Sequence, residues 1–348
     1  MKKIVLSAII ATVLLSCSGA APTIKKPIAE PIAVNQYMET ITAGELKTML
    51  TVIAADDMEG RETGSAGQKK TATYLIEEYK KNGIPYPKGA QNYEQFVPAA
   101  FLNAKRNEGL PDSANLWAFI EGTEKPEEIV VVSAHYDHVG IRNGEIYNGA
   151  DDDGSGTVAL LEIAQAFQKA KKEGNGPKRS ILFLHVTAEE HGLHGSRYYT
   201  ENPLFPLQNT IADVNIDMIG RSDAKHAGNS NYIYVIGSDY LSTDLYTVCE
   251  TVNSQYTQLE LDYKYNDRKD PNRFYYRSDH YNFAKHNIPS VFLFSGVHAD
   301  YHKPTDDVDK IEFEVLAKRT KYAFNIVWEI ANRAQRLVVD KTDPESKK

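Results

Sequence analysis

Cysteine and tryptophan are scarce in this chain, with two of each in 348 residues. Two cysteines, Cys17 and Cys249, cannot form the disulfide framework of a stapled miniprotein. Long apolar runs are also missing. The N-terminal run at residues 4–15 has 12 residues, whereas a membrane-spanning helix needs about 20. Positive charge is not in excess: 39 Lys and Arg face 47 Asp and Glu, a formal net charge of −8. That balance argues against nucleic acid as a partner, which wants a basic stripe, and the basic run 169–172 reads as the solvated end of a helix. No G-x-S-x-G stretch is present, so a serine-hydrolase reading lacks its nucleophile turn. Neither G-x-G-x-x-G nor a P-loop occurs, and no nucleotide site is implied.

What remains is ordinary globular composition, 42% hydrophobic and 25% charged, which excludes disorder and collagen-like repeats. Lys2 and Lys3 ahead of the 12-residue apolar run read as an export signal. The run ends in Leu14-Leu15-Ser16-Cys17, similar to a bacterial lipoprotein cleavage box with Cys17 as the lipidated residue; the alternative is an ordinary secretory signal cut nearby. Residues 1–16 are thus expected as signal peptide and 17–40 as lipidated cysteine plus a Pro- and Ala-rich tether. A catalytic domain is expected over 41–340, with a polar tail at 341–348. Ser18 points to the outer membrane, and the lack of a following acidic run points to its periplasmic face. Cys249 would then have no partner and reads as a small buried hydrophobe.

From Gly44 onward helix and strand alternate. Helices are expected at 44–54, 68–81, 155–172, 239–253 and 312–334, and core strands at 129–134, 180–186, 211–216, 232–236 and 290–294. Strands spaced by helices imply an α/β fold, a mostly parallel sheet between two helical layers. In such sheets ligands bind beyond the carboxyl ends of the strands.

Those ends carry acids and histidines. The strand 129–134 runs into His135-Tyr136-Asp137, 180–186 into Thr187-Ala188-Glu189-Glu190, and 211–216 into Asp217. The strand 290–294 leads to Tyr301-His302, and Asp151-Asp152-Asp153 precedes the helix that starts near Ser155. Two imidazoles with several carboxylates and no thiolate suit zinc. A two-metal site needs one bridging carboxylate and further ligands on each ion; two histidines and three acids supply that set. Asp137, two residues after His135, could fix the imidazole tautomer. Alone, the Asp triplet reads more often as a helix N-cap or a solvated turn than as a metal site. His191 and His194 fit neither H-E-x-x-H nor its inverse and read as wall or loop residues.

The ordered set HYDH, NGADDDGSG, TAEEHGLHGS, NIDMIGR, SDH and YHKPTD resembles the bacterial secreted dizinc aminopeptidases of the zinc-exopeptidase superfamily. Relatives of that family include glutamate carboxypeptidase-like proteins and glutaminyl cyclases. The likeness covers about residues 46–334, including the upstream MEGRETGSAG.

The resemblance implies one α/β/α domain around a mixed sheet of about eight strands, two Zn²⁺ per chain and peptide substrates. It places His135 and Asp217 on one zinc, Glu190 and His302 on the other, and Asp152 between them. Glu189 matches the general base toward the attacking water, and Asp137 the partner of His135. Asp153 falls where relatives meet the substrate amine, and Tyr275 and Tyr301 are candidate oxyanion donors, Tyr301 preferred. The loop 261–277 is expected to roof the pocket.

A glutaminyl cyclase, a carboxypeptidase-type exopeptidase and a non-catalytic binding lipoprotein are the competing readings. All five ligand positions and the base are filled, which favours hydrolysis. The carboxypeptidase would want an arginine cluster facing the substrate carboxylate, for which Arg268, Arg273 and Arg277 are candidates.

Overall fold

The computed structural model describes residues 31–342. The signal peptide, Cys17, most of the tether and residues 343–348 lie outside the described residues. Among those described, no helix is long and apolar enough to cross a membrane.

The chain runs through α1 (Pro31–Met38), α2 (Ala43–Ile53), α3 (Ala66–Asn82), β1 (Glu94–Val97), α4 (Ala99–Leu102), β2 (Ser113–Ile120) and β3 (Lys125–His135). A small hairpin follows, β4 (Gly140–Arg142) and β5 (Glu145–Tyr147), then α5 (Gly156–Lys172), β6 (Arg179–Val186), α6 (His194–Glu201) and β7 (Thr210–Ile216). The last part comprises β8 (Tyr232–Ile236), α7 (Thr243–Val252), β9 (Glu260–Asp262), α8 (His280–Ala284), β10 (Ser290–Phe294) and α9 (Phe313–Asn332).

Eight strands form one sheet in the order β1-β2-β6-β3-β7-β10-β8-β9. Its middle, β6-β3-β7-β10, is parallel throughout, and β8 pairs parallel with β9. The β1–β2, β2–β6 and β8–β10 pairings are antiparallel. The expected mixed, mostly parallel α/β sheet is what forms.

The central strands are apolar on both faces because both are covered. Val130, Val132, Ile181 and Phe183 face the larger core under α1, α2, α3, α5, α7 and α9. Ile129, Val131, Leu182, Leu184 and Val186 face the other, with Trp117, Phe119, Tyr199 and Phe283. Period-two alternation along β3 and β6 thus feeds two cores at once.

The helices begin and end where local chemistry says. Thr42 caps α2 through the Glu45 N–H, and Ser65 caps α3 through that of Gln68. Gly83 then closes α3 in a left-handed turn at φ 71°. Ser242 caps α7, so the helix expected from 239 starts at Thr243.

The tether bound and the set of elements need correction. The tether expected through residue 40 stops earlier: α1 lies inside it, with Val34, Tyr37 and Met38 buried against α5 and α9. The Tyr37 hydroxyl also donates to Glu173 at 3.0 Å. Strands β1, β2 and β9 were not expected, and neither were α6 and the β4–β5 hairpin. Cys249 is buried as expected, and burial pushes its thiol up to about 12.

Candidate metal centre

Four adjacent parallel strands deliver their carboxyl ends to one edge. His135 is the last residue of β3, Glu189 and Glu190 follow β6, Asp217 follows β7, and His302 comes from the loop after β10. Asp152 lies in an irregular turn just before α5, and the Asp152–Asp153 peptide bond is cis. Ala188, Met218 and His302 adopt left-handed φ of 54–56°. Such backbone costs energy outside glycine and recurs at functional sites; here it turns the chain sharply beside three of the acids and histidines.

All five ligand candidates converge. Asp152 Oδ1 lies 3.2 Å from His135 Nε2, and its Oδ2 lies 2.9 Å from His302 Nε2. Glu190 Oε2 is 3.0 Å from His302 Nε2, and Asp217 Oδ1 is 3.7 Å from His135 Nε2. Two groups of side chains could each hold a cation: His138, Asp152, Glu190 and His302 in one, His135, Asp153 and Asp217 in the other. Asp152 Oδ2 and Glu190 Oε1 are buried without a hydrogen-bond partner, the state expected of carboxylates arranged for a metal rather than for each other.

The two adjacent glutamates are held apart electrostatically. Burial holds the Glu189 carboxyl well above the usual range, with Glu190, Asp217 and Asp279 adding to it and His135 opposing. For Glu190 burial and Asp152 push upward, but His138 and His302 outweigh them and pull it down to about 2. Neighbouring acids with divergent proton affinities are the usual basis for divided roles. Glu189 Oε2 stands 3.9 Å from His135 Nε2, and the residue lines the pocket.

The supports are specific. The His135 Nδ1–H meets the main-chain carbonyl of Asp137 at 3.0 Å, while the Asp137 carboxylate is 3.7 Å away. That carboxylate instead accepts the Thr63 hydroxyl at 3.0 Å and the Glu189 N–H at 3.2 Å, so Asp137 fixes both neighbours by different atoms. Ser278 donates to Asp217 Oδ2 at 2.6 Å. The Asp306 carboxylate accepts the N–H groups of Asp151 and Asp152. Arg61, fully buried, donates to the carbonyls of Ile53, Tyr136, Asn148 and Gly149 and so pins both loops that carry the site.

Two of the sequence-derived positions do not face substrate. Asp153 is fully buried, and its oxygens accept three main-chain N–H groups, from His135, Gly156 and Met218, at 2.9–3.2 Å. It caps α5 and ties it to β3 and β7, so it cannot meet a substrate amine. Tyr275 is buried among Tyr240, Tyr276, Tyr281 and His280. Tyr301 does line the pocket, stacked on His302 at 3.9 Å between ring centres. Burial, with Asp152, Glu190 and Glu189 nearby, raises its phenol and keeps it a donor.

The rest of the pocket is formed by Met218, Phe274, Arg277, Phe292, Phe294 and Val297. Of the expected roof loop, only its end reaches there; Tyr263 turns away to donate to Glu250. Arg268 and Arg273 stack on Tyr240 and Tyr276, leaving Arg277 alone at the pocket, not an arginine cluster. His191 pairs with Glu108 and His194 with Arg197, outside both metal groups.

His138, Ser278, Asp306, Arg61 and Thr63 carry no role in the sequence reading, although each lies within a motif string that carries the resemblance. Nothing in those strings separates a supporting residue from a ligand.

Known proteins share this arrangement of chain. Aminopeptidase YwaD of Bacillus subtilis is 25% identical, over 93% of this chain and 71% of its own length. A probable leucine aminopeptidase of Arthroderma benhamiae is 27% identical, over 82% of this chain and 76% of its own. Among solved structures, the LapA aminopeptidase of Legionella pneumophila superposes with a TM-score of 0.67 at 22% identity, covering 93% of this chain and 81% of that one. A glutaminyl cyclase of Porphyromonas gingivalis gives 0.63 at 18%, covering 82% and 97%; at such identities the likeness is one of fold. The model of peptidase family M28 matches residues 115–327, more than half of the chain and all of the strands that carry the site, and the chain belongs to that family.

Proposed function

We propose that this M28 peptidase is a zinc-dependent aminopeptidase that holds two zinc ions and hydrolyses the N-terminal peptide bond of peptides. The observation that carries the reading is the position of Asp152, one carboxylate oxygen toward His135 and the other toward His302. Asp152 would be shared between the two ions, with His135 and Asp217 holding one and Glu190 and His302 the other. Imidazole and carboxylate donors without thiolate suit zinc, and the unpaired oxygens of Asp152 and Glu190 fit a cation.

Zinc bound there supplies a Lewis acid for the scissile carbonyl and lowers the pKa of water. Glu189 accepts the proton of the attacking water and passes it to the departing amine. Ser278 and the Asp137 carbonyl keep Asp217 and His135 oriented. The Tyr301 hydroxyl donates to the carbonyl oxygen as charge develops on it. The relatives named aminopeptidases support attack at the N-terminal end.

The test is zinc per chain together with turnover of aminoacyl-anilides and N-terminal Gln peptides, with Glu189→Gln as control. About two zincs and anilide cleavage that Glu189→Gln abolishes while keeping its metal is the expected result. One zinc with ammonia released from Gln peptides would replace the reading with a cyclase. For the N-terminal segment we propose export, lipidation at Cys17 and an outer-membrane, periplasm-facing location. Labelling with a palmitate analogue, lost in Cys17→Ser, checks the anchor.

A further inference from the structure

The metal group that contains Glu190 and His302 has a member outside the five expected ligands. His138 lies three residues after His135, where the chain leaves β3, and is fully buried. Its Nδ1 lies 2.7 Å from Glu190 Oε1 and 3.7 Å from Asp152 Oδ2. Despite that approach neither ring nitrogen makes a hydrogen bond, and Glu190 Oε1 and Asp152 Oδ2 have no hydrogen-bond partner either. A buried imidazole left unpaired costs free energy; of its two unpaired nitrogens, Nδ1 faces one point together with Glu190 Oε1 and Asp152 Oδ2, and these three atoms call for a common partner. A cation meets all three requirements at once.

The surroundings place the ring there. The main-chain N–H of His138 donates to the Arg61 carbonyl at 3.2 Å, and the Arg61 guanidinium in turn holds the carbonyls of Asn148 and Gly149. Gly149 has φ 54°, and a Cβ on it would stand 2.5 Å from Cγ and Cδ2 of the His138 ring. Only a residue without a side chain lets the ring come so close to the acids. His302 closes the far side, its ring edge-on to His138 with centres 5.6 Å apart.

We propose that His138 is a fourth protein donor to one zinc, together with Asp152, Glu190 and His302, and that the two metal sites are therefore unequal. The other site keeps three donors, His135, Asp152 and Asp217. The four-donor site fills first and releases its ion last. This inference rests on the dizinc reading of the site.

Zinc affinity of each site is measured by chelator competition on the full soluble chain, wild type beside His138→Ala and His138→Gln. Cobalt(II) titration followed by visible absorption reports the coordination of each ion independently of activity. Wild type is expected to show two separated affinities. In both variants the tighter one weakens about 100-fold, its cobalt band changes, and the weaker site stays within threefold. Gln can hydrogen-bond to Glu190 but is a poor zinc ligand. Wild-type affinity and cobalt spectrum in His138→Gln would therefore make the contact a hydrogen bond and overturn the proposal. So would unchanged affinities in His138→Ala. Thermal unfolding of the metal-free forms separates loss of a ligand from loss of fold; where His138→Ala does not fold, His138→Gln alone decides. A wild-type chain that binds no zinc fails the dizinc reading itself, a different result from two equal sites, which fails only the role of His138.

Discussion

Asp152 and Asp153 are consecutive acids with unrelated surroundings. Asp152 places one oxygen 3.2 Å from His135 Nε2 and the other 2.9 Å from His302 Nε2, while Asp153 spends both oxygens on three main-chain N–H groups. One carboxylate serves the site and the next serves the backbone that carries it. Asp153→Asn exchanges one acceptor for a donor that faces an N–H. It should lower stability by about 1–3 kcal/mol in urea denaturation while KM of the folded fraction stays within twofold. A large rise in KM with unchanged stability would restore Asp153 as the amine contact.

Ser278 acts through Asp217. Its hydroxyl donates at 2.6 Å to the carboxylate oxygen Oδ2, the one not facing His135, and it accepts from Asn215 at 2.7 Å. Ser278→Ala frees that oxygen, and zinc affinity of the His135–Asp217 site is expected to fall about 10-fold with the fold intact. Chelator competition on that site reads it; equal affinity in the variant would make the contact incidental.

Arg61 is a fully buried cation that donates to four carbonyls from three stretches of chain. Lysine cannot reproduce that planar fork. Arg61→Lys should cost about 3 kcal/mol or more in unfolding free energy, with zinc affinity falling alongside because the Gly149–Asp152 turn loses its anchor. Denaturation of the metal-free variant isolates the structural part.

Metal removal should be felt by the fold as well as by activity. Asp152, Glu189, Glu190 and Asp217 crowd around two histidines with little solvent, and cations offset their mutual repulsion. Zinc at 100 times its dissociation constant adds about 2.7 kcal/mol, so Tm of chelator-stripped protein should climb with added zinc. A Tm independent of zinc would contradict binding at the native site.

The parts of this architecture that obey a single period were legible in the chain. β3, β6, β7, β8 and β10 read as short apolar runs, and following four of them, β3, β6, β7 and β10, to their ends finds His135, Glu189, Glu190, Asp217 and His302. β1 and β9 have four and three residues and carry no signal that separates them from loop, whereas the apolar run of β2 at 116–120 is legible as a strand, though it is not among those expected. Tertiary contact decided α1, whose eight residues follow a proline-rich stretch and are held by burial of Val34, Tyr37 and Met38 and by hydrogen bonds to Glu173. Within the site, spacing gave residue types but not directions. Asp153 and Asp152 are indistinguishable as letters, and His138 is one of four letters in HYDH. Their roles depend on which way a sharp turn points each side chain, and Asp306, more than 150 residues away, holds that turn.

A buried acid outside both groups of candidate metal ligands sets a pH dependence of stability. Glu162 sits within α5, nearly fully buried, where its Oε2 accepts the Thr42 N–H at 3.3 Å. Burial first, then Glu45, raises its carboxyl to about 8 against an ordinary 4.5, with the Thr42 hydrogen bond opposing. The folded state therefore holds this proton more tightly than the unfolded chain does. Its contribution is fully present below pH about 4.5 and is lost as pH rises toward 8, because the unfolded chain then ionises freely and the folded one cannot. Glu162→Gln keeps an acceptor for Thr42 and removes the ionisation. It should leave stability at pH 5 nearly unchanged and raise it at pH 8.5 by roughly 1–3 kcal/mol. Urea denaturation of the metal-free forms at the two pH values measures the difference with the zinc ligands out of play. A variant equally stabilised at both would place the effect in packing and not in the carboxyl's proton.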